Sequence, residues 1–108
     1  MTIKLPRIIN DYVNASNARD VQSVVACFAD NALVHDEGKD FRSKKMIEDW
    51  ITKTIERYKF QFKPVSIKDD NAGVVVTVEV SGTFDGSPIT LDYHFTIEGD
   101  KIVSLTID

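Results

Sequence analysis

The sequence predicts an α+β fold, a cone-shaped domain in which three N-terminal helices pack on a curved, mainly antiparallel sheet in the order αα-β-α-ββββ. Apolar residues recur at helical spacing in three segments before Phe60, and they alternate with polar residues after it. Short turn-forming clusters separate the alternating segments, so that successive strands pair as hairpins. With 108 residues, 43% of them hydrophobic, the chain suits one domain, residues 1–108, around a single core.

Two short helices are predicted first. Helix one covers about Leu5–Ser16, with Tyr12 on its buried stripe, and a proline is acceptable in its first turn. Asp20 is a suitable N-cap for helix two. The apolar stripe of helix two consists of Val21, Val24, Val25 and Phe28.

A short strand follows and ends in a carboxylate. The Asp-Asn pair at 30–31 stops the helix, because these side chains bond their own backbone. The segment Ala32–Asp36 is too short for a helix and is followed by Gly38. We therefore predict a strand whose last residue, Asp36, points into the space enclosed by the fold. A polar loop, Glu37–Arg42, is predicted to follow it.

The third helix is the longest. Ser43 can cap it, and no glycine or proline interrupts it down to about Lys59. We expect Trp50 to be substantially buried on its apolar face. The residues predicted for that face are Met46, Ile47, Trp50, Ile51, Ile55 and Tyr58.

Four strands complete the chain. Pro64 lies within the first of them, which indicates an edge strand or a bulge, because proline cannot donate to a central ladder. An Asp-Gly pair marks the hairpin turn at residues 85–86. The predicted strands are Phe60–Ile67, Val74–Phe84, Ile89–Ile97 and Ile102–Ile107, with turns at Asp69–Gly73, Asp85–Pro88 and Glu98–Lys101.

Composition restricts the class of protein and its partners. The net charge of −4 does not favour nucleic acid or an acidic membrane as a partner. The lone Cys27 excludes an intramolecular disulfide and fits a reducing compartment. Without an N-terminal leader or a long apolar run, we expect a soluble, cytoplasmic protein. No spacing of two histidines and a carboxylate favours a metal, so neither metal nor cofactor is expected.

Three segments resemble the nuclear transport factor 2-like superfamily, in particular its SnoaL-like and ketosteroid isomerase-like members. These segments are Tyr12–Asp20, Val25–Ala32 together with Val34–Asp36, and Gly99–Ser104. The resemblance covers the whole chain and implies a cystatin-like roll, a twisted sheet that curls round the long helix. The wide end of such a cone is a natural pocket.

The resemblance also implies site residues. Asp36 falls at the position of the isomerases' aspartate base and Tyr12 at their helix-one tyrosine. Counting back from the last matched segment selects Asp92 as the second oxyanion donor, whereas the alternation of the strand selects Tyr93. We prefer Tyr93, because a shift of one residue in the matching would turn the apolar side chains of this strand away from the core. Glu37 departs from the family pattern, which usually has proline after the base.

Two functions follow from this scaffold. The first is an isomerase or cyclase in which Asp36 is the general base and Tyr12 and Tyr93 stabilise negative charge on a small apolar or enolisable organic ligand. The alternative is a non-catalytic ligand-binding or dimeric interaction module. A pocket that reaches Asp36 and Tyr12 together favours the enzyme, and a cavity filled by aromatic side chains favours the module. The predicted ligand-binding residues are Trp50, Phe28, Tyr58, Phe60 and Asp92.

The outer face of the sheet is predicted to form a homodimer contact. His35 and His94 alternate out of phase with Asp36 and Tyr93, which places both histidines on the outer face. This face is mixed in polarity rather than highly charged, and such a face can pair about a two-fold axis.

Overall fold

The computed structural model describes residues 4–70 and 73–108, so two residues of the predicted turn Asp69–Gly73 lie outside the described residues. It contains three helices and six strands among the described residues. Their bounds in chain order are α1 Arg7–Asn17, α2 Val21–Ala26, β1 Phe28–Asp36, β2 Lys39–Arg42, α3 Ser43–Tyr58, β3 Gln61–Asp70, β4 Gly73–Ser81, β5 Ile89–Glu98 and β6 Lys101–Ile107.

The six strands form one sheet in the order β2-β1-β6-β5-β4-β3. All neighbours pair antiparallel except β1 and β6, which run parallel. The helices pack against this sheet around a single hydrophobic core. The predicted α+β class, with helices on a mainly antiparallel sheet, is therefore confirmed.

The three helices form where the apolar stripes predict them. In α1 the stripe is buried, including Tyr12 at 1% exposure. The Asp20 carboxylate accepts a hydrogen bond from the Ser23 N–H at 3.2 Å, which confirms the predicted cap of α2. In α3 the Ser43 hydroxyl accepts from the Met46 N–H at 3.4 Å, and Trp50 is 6% exposed.

Three predictions about helical segments are wrong. Asp30 and Asn31 do not stop a helix, because α2 ends at Ala26 and both residues lie within β1. Phe28 does not belong to α2 but begins β1, where it pairs with Ile102 of β6. The Ile102 N–H also donates to the Cys27 carbonyl at 2.9 Å. Because β6 is available as a pairing partner, the helix ends before the last residue of the predicted apolar stripe. Met46 is 44% exposed, because the buried face of α3 is narrower than its run of apolar residues.

The polar segment after Asp36 contains a strand that the sequence did not indicate. Strand β2 pairs antiparallel with β1, from Asp36 opposite Lys39 to Leu33 opposite Arg42. The two residues between the strands, Glu37 and Gly38, have φ of 54° and 75°. Positive φ at both positions matches the twist of a tight two-residue hairpin. This hairpin pairs the polar segment with β1, so that β2 becomes an edge strand of the sheet.

Strand β3 is the other edge of the sheet, and its register shifts between Pro64 and Ser66. Both features confirm the prediction made from the proline. Strand β4 ends at Ser81 rather than at Phe84. The chain there passes so close to α3 that a Cβ on Gly82 would lie 2.4 Å from the Tyr58 carbonyl oxygen, and the Thr83 N–H donates to that oxygen at 2.9 Å.

The register of the central strands decides which side chains face the helices. Tyr93 lies opposite Val76 and Ile107, and all three belong to the core or pack against it. Asp92 faces the other way, is exposed, and accepts a hydrogen bond from the Thr77 hydroxyl at 2.8 Å. The alternation of the strand therefore selected the correct residue, and the prediction that Asp92 lines the pocket is wrong.

Candidate functional site

A cavity of about 480 Å³ lies between the inner face of the sheet and helices α1 and α3. Its floor consists of buried side chains, and its rim consists of half-buried or exposed ones. The floor residues are Tyr12, Trp50, Ile51, Phe60, Phe62, Val80 and Tyr93. The remaining lining residues are Asp36, Glu37, Thr54, Tyr58, Phe84, Asp85, Ile89, Leu91, Ile107 and Asp108.

Asp36 enters this cavity from the last position of β1. Its Oδ2 accepts a hydrogen bond from the indole Nε1–H of Trp50 at 3.1 Å. Burial raises the pKa of the Asp36 carboxyl above its ordinary value, while the Trp50 hydrogen bond opposes the rise by stabilising the carboxylate. The adjacent negative charge of Glu37 adds to the rise. Asp36 is thus a carboxylate of increased basicity, held in place by α3.

Tyr12 and Tyr93 form part of the floor, at 1% and 4% exposure. Their rings flank Phe62, with centroid distances of 6.3 Å from Tyr12 and 5.4 Å from Tyr93. Burial raises the pKa of each phenol, and the charge of Asp36 raises both pKa values further. Both tyrosines are therefore neutral hydrogen-bond donors at physiological pH.

The rim is closed on one side by a hydrogen bond between the β1–β2 turn and α3. The Tyr58 hydroxyl donates to Glu37 Oε1 at 2.9 Å, which raises the pKa of Tyr58. Glu37 reaches this position because it adopts the left-handed conformation of the hairpin turn. The Arg57 guanidinium lies 5.7 Å from the centroid of the Tyr58 ring, and Arg57 is not among the residues that line the cavity.

The structure brings six of the eight predicted site residues to this cavity. These are Asp36, Tyr12, Tyr93, Trp50, Tyr58 and Phe60. Asp92 lies on the outer face, as described above. Phe28 is fully buried behind Tyr12, with its ring edge-on at a centroid distance of 6.0 Å, so it supports the Tyr12 ring and does not line the cavity.

Several lining residues were not predicted. Strand alternation could have identified Leu91, which lies two residues from Tyr93 and on the same face. The alternation of the predicted strand Val74–Phe84 also places Phe84 on the face of Val80, although β4 ends before it. The sequence carries no comparable signal for Asp85, because it lies in the connection between β4 and β5. Tertiary contacts alone bring that connection to the end of α3.

Two kinds of site are not found in the described part of the chain. Among residues 4–70 and 73–108, no group of three or more His, Cys, Asp or Glu side chains could hold a metal ion. None of the described helices is long and apolar enough to cross a membrane.

Comparison with known proteins gives a family match and several structural neighbours. The SnoaL-like domain model matches residues 9–105. A putative polyketide cyclase from Sinorhizobium meliloti is 34% identical, with a TM-score of 0.92 over 96% of this chain and 95% of its own. Curated protein sequences yield no match.

More distant neighbours share the fold. A protein with a ketosteroid isomerase-like fold from Catenulispora acidiphila, solved in complex with trimethylamine, is 15% identical, with a TM-score of 0.84 and coverage of 97% of this chain and 86% of its own. A cystatin-fold protein from Novosphingobium aromaticivorans is 19% identical, with a TM-score of 0.78 and coverage of 94% and 95%.

Proposed function

This chain belongs to the SnoaL-like domain family, and from that premise we propose that it is an isomerase or cyclase that removes a proton from an enolisable small molecule. In this proposal Asp36 is the general base, and Tyr12 and Tyr93 stabilise the negative charge that develops on the substrate oxygen. The likeness to a putative polyketide cyclase supports an isomerase or cyclase as the class of enzyme.

One observation carries the assignment of residues. Asp36, Tyr12 and Tyr93 line the same apolar cavity, where burial raises the pKa of the carboxyl and keeps both phenols neutral. A carboxylate of raised pKa is a better base toward carbon acids than an exposed aspartate. Neutral phenols in a water-poor site are effective donors to an enolate oxygen.

The proposed reaction begins when the Asp36 carboxylate takes a proton from the carbon beside a ketone. The electron pair of that C–H bond forms the C=C bond of the enolate, and the carbonyl oxygen acquires the negative charge. The Tyr12 and Tyr93 hydroxyls donate hydrogen bonds to this oxygen. In an isomerisation Asp36 returns the proton to another carbon. In a cyclisation the enolate carbon attacks a second carbonyl of the same molecule, and the resulting alkoxide takes the proton from Asp36.

A binding module without catalysis is the competing proposal. Trp50, Phe60 and Phe62 would have to fill the cavity for the scaffold to serve only as an interaction module, but they form its walls around an open volume. This supports a ligand inside the domain. We also propose a cytoplasmic location, in keeping with a lone, buried cysteine.

Proton exchange at carbon tests the catalytic proposal. The wild-type protein is expected to accelerate the exchange of α-protons of small ketones with D2O, followed by proton NMR. Asp36→Asn should lower the rate by about a hundredfold or more, because a positioned base contributes on the order of 10²–10⁴ to such a step. Tyr12→Phe should lower the rate less, since Tyr93 still donates.

Asp30→Asn is the matched control. Asp30 lies on the same strand as Asp36, but its side chain is fully exposed next to Lys44. The control should exchange protons at the wild-type rate. Equal rates in wild type and Asp36→Asn would reject Asp36 as the base, and ligand binding without exchange in any variant would leave the binding module.

A further inference from the structure

Every charged side chain that lines the cavity is acidic. No Lys, Arg or His occurs among the described residues that form its walls. Asp108 contacts the His94 imidazole at 2.8 Å, whereas the other three acids form no salt bridge with any described basic side chain. The four acids of the cavity are Asp36, Glu37, Asp85 and Asp108.

The walls between these acids are aromatic. Phe60 and Phe62 stack at a centroid distance of 4.5 Å, and Tyr12 and Tyr93 extend the same surface on either side of Phe62. The faces of aromatic rings carry negative electrostatic potential and attract cations within about 6 Å of the centroid. An aromatic wall below an acidic rim therefore favours a positively charged ligand.

Tyr93 provides a separate sign that a ligand with a polar group belongs here. Its side chain is 4% exposed and lines the cavity, and its hydroxyl makes no hydrogen bond within the described residues. Among those residues the fully buried polar atom that lacks a partner is Ser16 Oγ, so the Tyr93 hydroxyl is open to the cavity. A phenol hydroxyl that faces a cavity is free to donate a hydrogen bond to a bound molecule. A carbonyl oxygen of a bound molecule would accept from this hydroxyl at the floor, while a charged group of the same molecule remained nearer the rim.

We propose that the ligand of this cavity is a small organic cation, an amine or quaternary ammonium compound with an apolar body. This inference rests on the proposed function and narrows its substrate class to enolisable ketones that carry an ammonium group. The cation contacts the aromatic wall and the rim carboxylates, and the ketone oxygen reaches Tyr93. A carboxylate or phosphate ligand would instead be repelled by Asp36, Glu37 and Asp85.

A series of probes with the same shape and different charge tests the ligand class. Choline is the cation, 3,3-dimethylbutan-1-ol is its neutral counterpart, and 3,3-dimethylbutanoate is an anion of similar size. Binding is followed by the ¹⁵N–¹H signal of the Trp50 indole, the chain's single tryptophan, which donates to Asp36 in the cavity. We expect choline to bind at least about tenfold more tightly than the neutral alcohol, and the anion to bind most weakly.

Glu37→Gln and Glu98→Gln form a matched pair of variants. Glu37 belongs to the rim, whereas Glu98 is exposed at the far end of β5, away from the cavity. The first should weaken choline binding several-fold and leave the neutral alcohol unaffected, and the second should change neither. Equal or tighter binding of the alcohol or the anion, equal effects of the two variants, or no binding of choline would overturn the inference.

Failure of this inference can be distinguished from failure of the catalytic proposal. Exchange of neutral ketones that depends on Asp36, together with no preference for choline, leaves the catalytic proposal standing and rejects the cationic ligand. Preferential binding of choline, together with no proton exchange in neutral or amino ketones, supports the ligand class and rejects catalysis.

Discussion

Asp36 experiences two opposing influences inside the cavity. Burial disfavours the charged carboxylate, and the indole N–H of Trp50, at 3.1 Å, favours it. The first influence is the larger, so the pKa of the carboxyl lies above the ordinary 3.8. Trp50 therefore both positions the carboxylate and limits the rise of its pKa.

The raised pKa of the Asp36 carboxyl predicts how activity depends on pH. A base must be ionised, so the rate of proton exchange should rise with pH as Asp36 loses its proton, with a midpoint above 3.8. Trp50→Phe removes the donor to the carboxylate, and the midpoint should therefore move to higher pH. A ¹³C NMR titration of the Asp36 carboxyl and the pH profile of the rate should both show this shift.

Phe41→Leu is the control for the loss of aromatic packing in Trp50→Phe. The Phe41 ring packs on Trp50 at a centroid distance of 6.0 Å, and Phe41 is not among the residues that line the cavity. It should leave the midpoint near the wild-type value. A midpoint that stays fixed or falls in Trp50→Phe would show that the indole does not stabilise the carboxylate.

At the scale of elements, the end of α1 is attached to the edge strand β3. The Asn17 side chain donates to the Phe62 carbonyl at 3.1 Å and accepts from the Phe62 N–H at 2.7 Å. It thereby takes the place of a neighbouring strand at the sheet edge. Arg19 adds a hydrogen bond to the Lys59 carbonyl at 3.1 Å. Because Phe62 belongs to the cavity floor, these contacts hold one wall of the site in position.

Asn17→Ala should destabilise the domain. The substitution leaves the Phe62 N–H and carbonyl without partners in a partly buried position, which costs about 1–3 kcal/mol in the free energy of unfolding. Urea denaturation measures the loss, and hydrogen exchange of the Phe62 amide should accelerate. The control Asn14→Ala, on the exposed side of α1, should change stability by less than about 0.5 kcal/mol. Equal losses in both variants would contradict the attachment.

At the scale of the whole molecule, the outer face of the sheet is a continuous surface across four strands. The register places Val75 opposite His94, His94 opposite Thr106 and Thr106 opposite His35. In this row His35 contacts the Asp40 carboxylate and His94 contacts the Asp108 carboxylate, so the surface is polar and its histidines are paired with acids. We propose that two copies pair through this face about a two-fold axis.

The proposed homodimer is measurable by light scattering. At micromolar concentration the mass should be twice the 12.2 kDa of the chain. Thr106→Arg introduces a charge near the centre of the row and should give the monomer mass, with an unchanged circular dichroism spectrum. Thr52→Arg, the same substitution on α3, should remain dimeric. A monomer mass for the wild type would contradict the proposal.

The sequence by itself determined the features that depend on local periodicity. The stripe of α3 predicted the burial of Trp50, and the alternation of β5 selected Tyr93 over Asp92 for the inner face. Pro64 indicated an edge strand or a bulge, because a residue without an N–H cannot occupy a central ladder, and the structure has both. Each of these signals arises within a few residues of the chain.

The tertiary structure alone decided the features that depend on distant partners. Phe28 is a strand residue because β6 lies beside it, and residues 39–42 are a strand because a hairpin brings them to β1. Trp50 reaches Asp36 from fourteen positions away, and Asn17 reaches Phe62 from forty-five. Hydrogen bonds and charges across such separations follow from how the elements pack, so periodicity does not encode them. The acidic rim and aromatic wall of the cavity appear only when those elements meet.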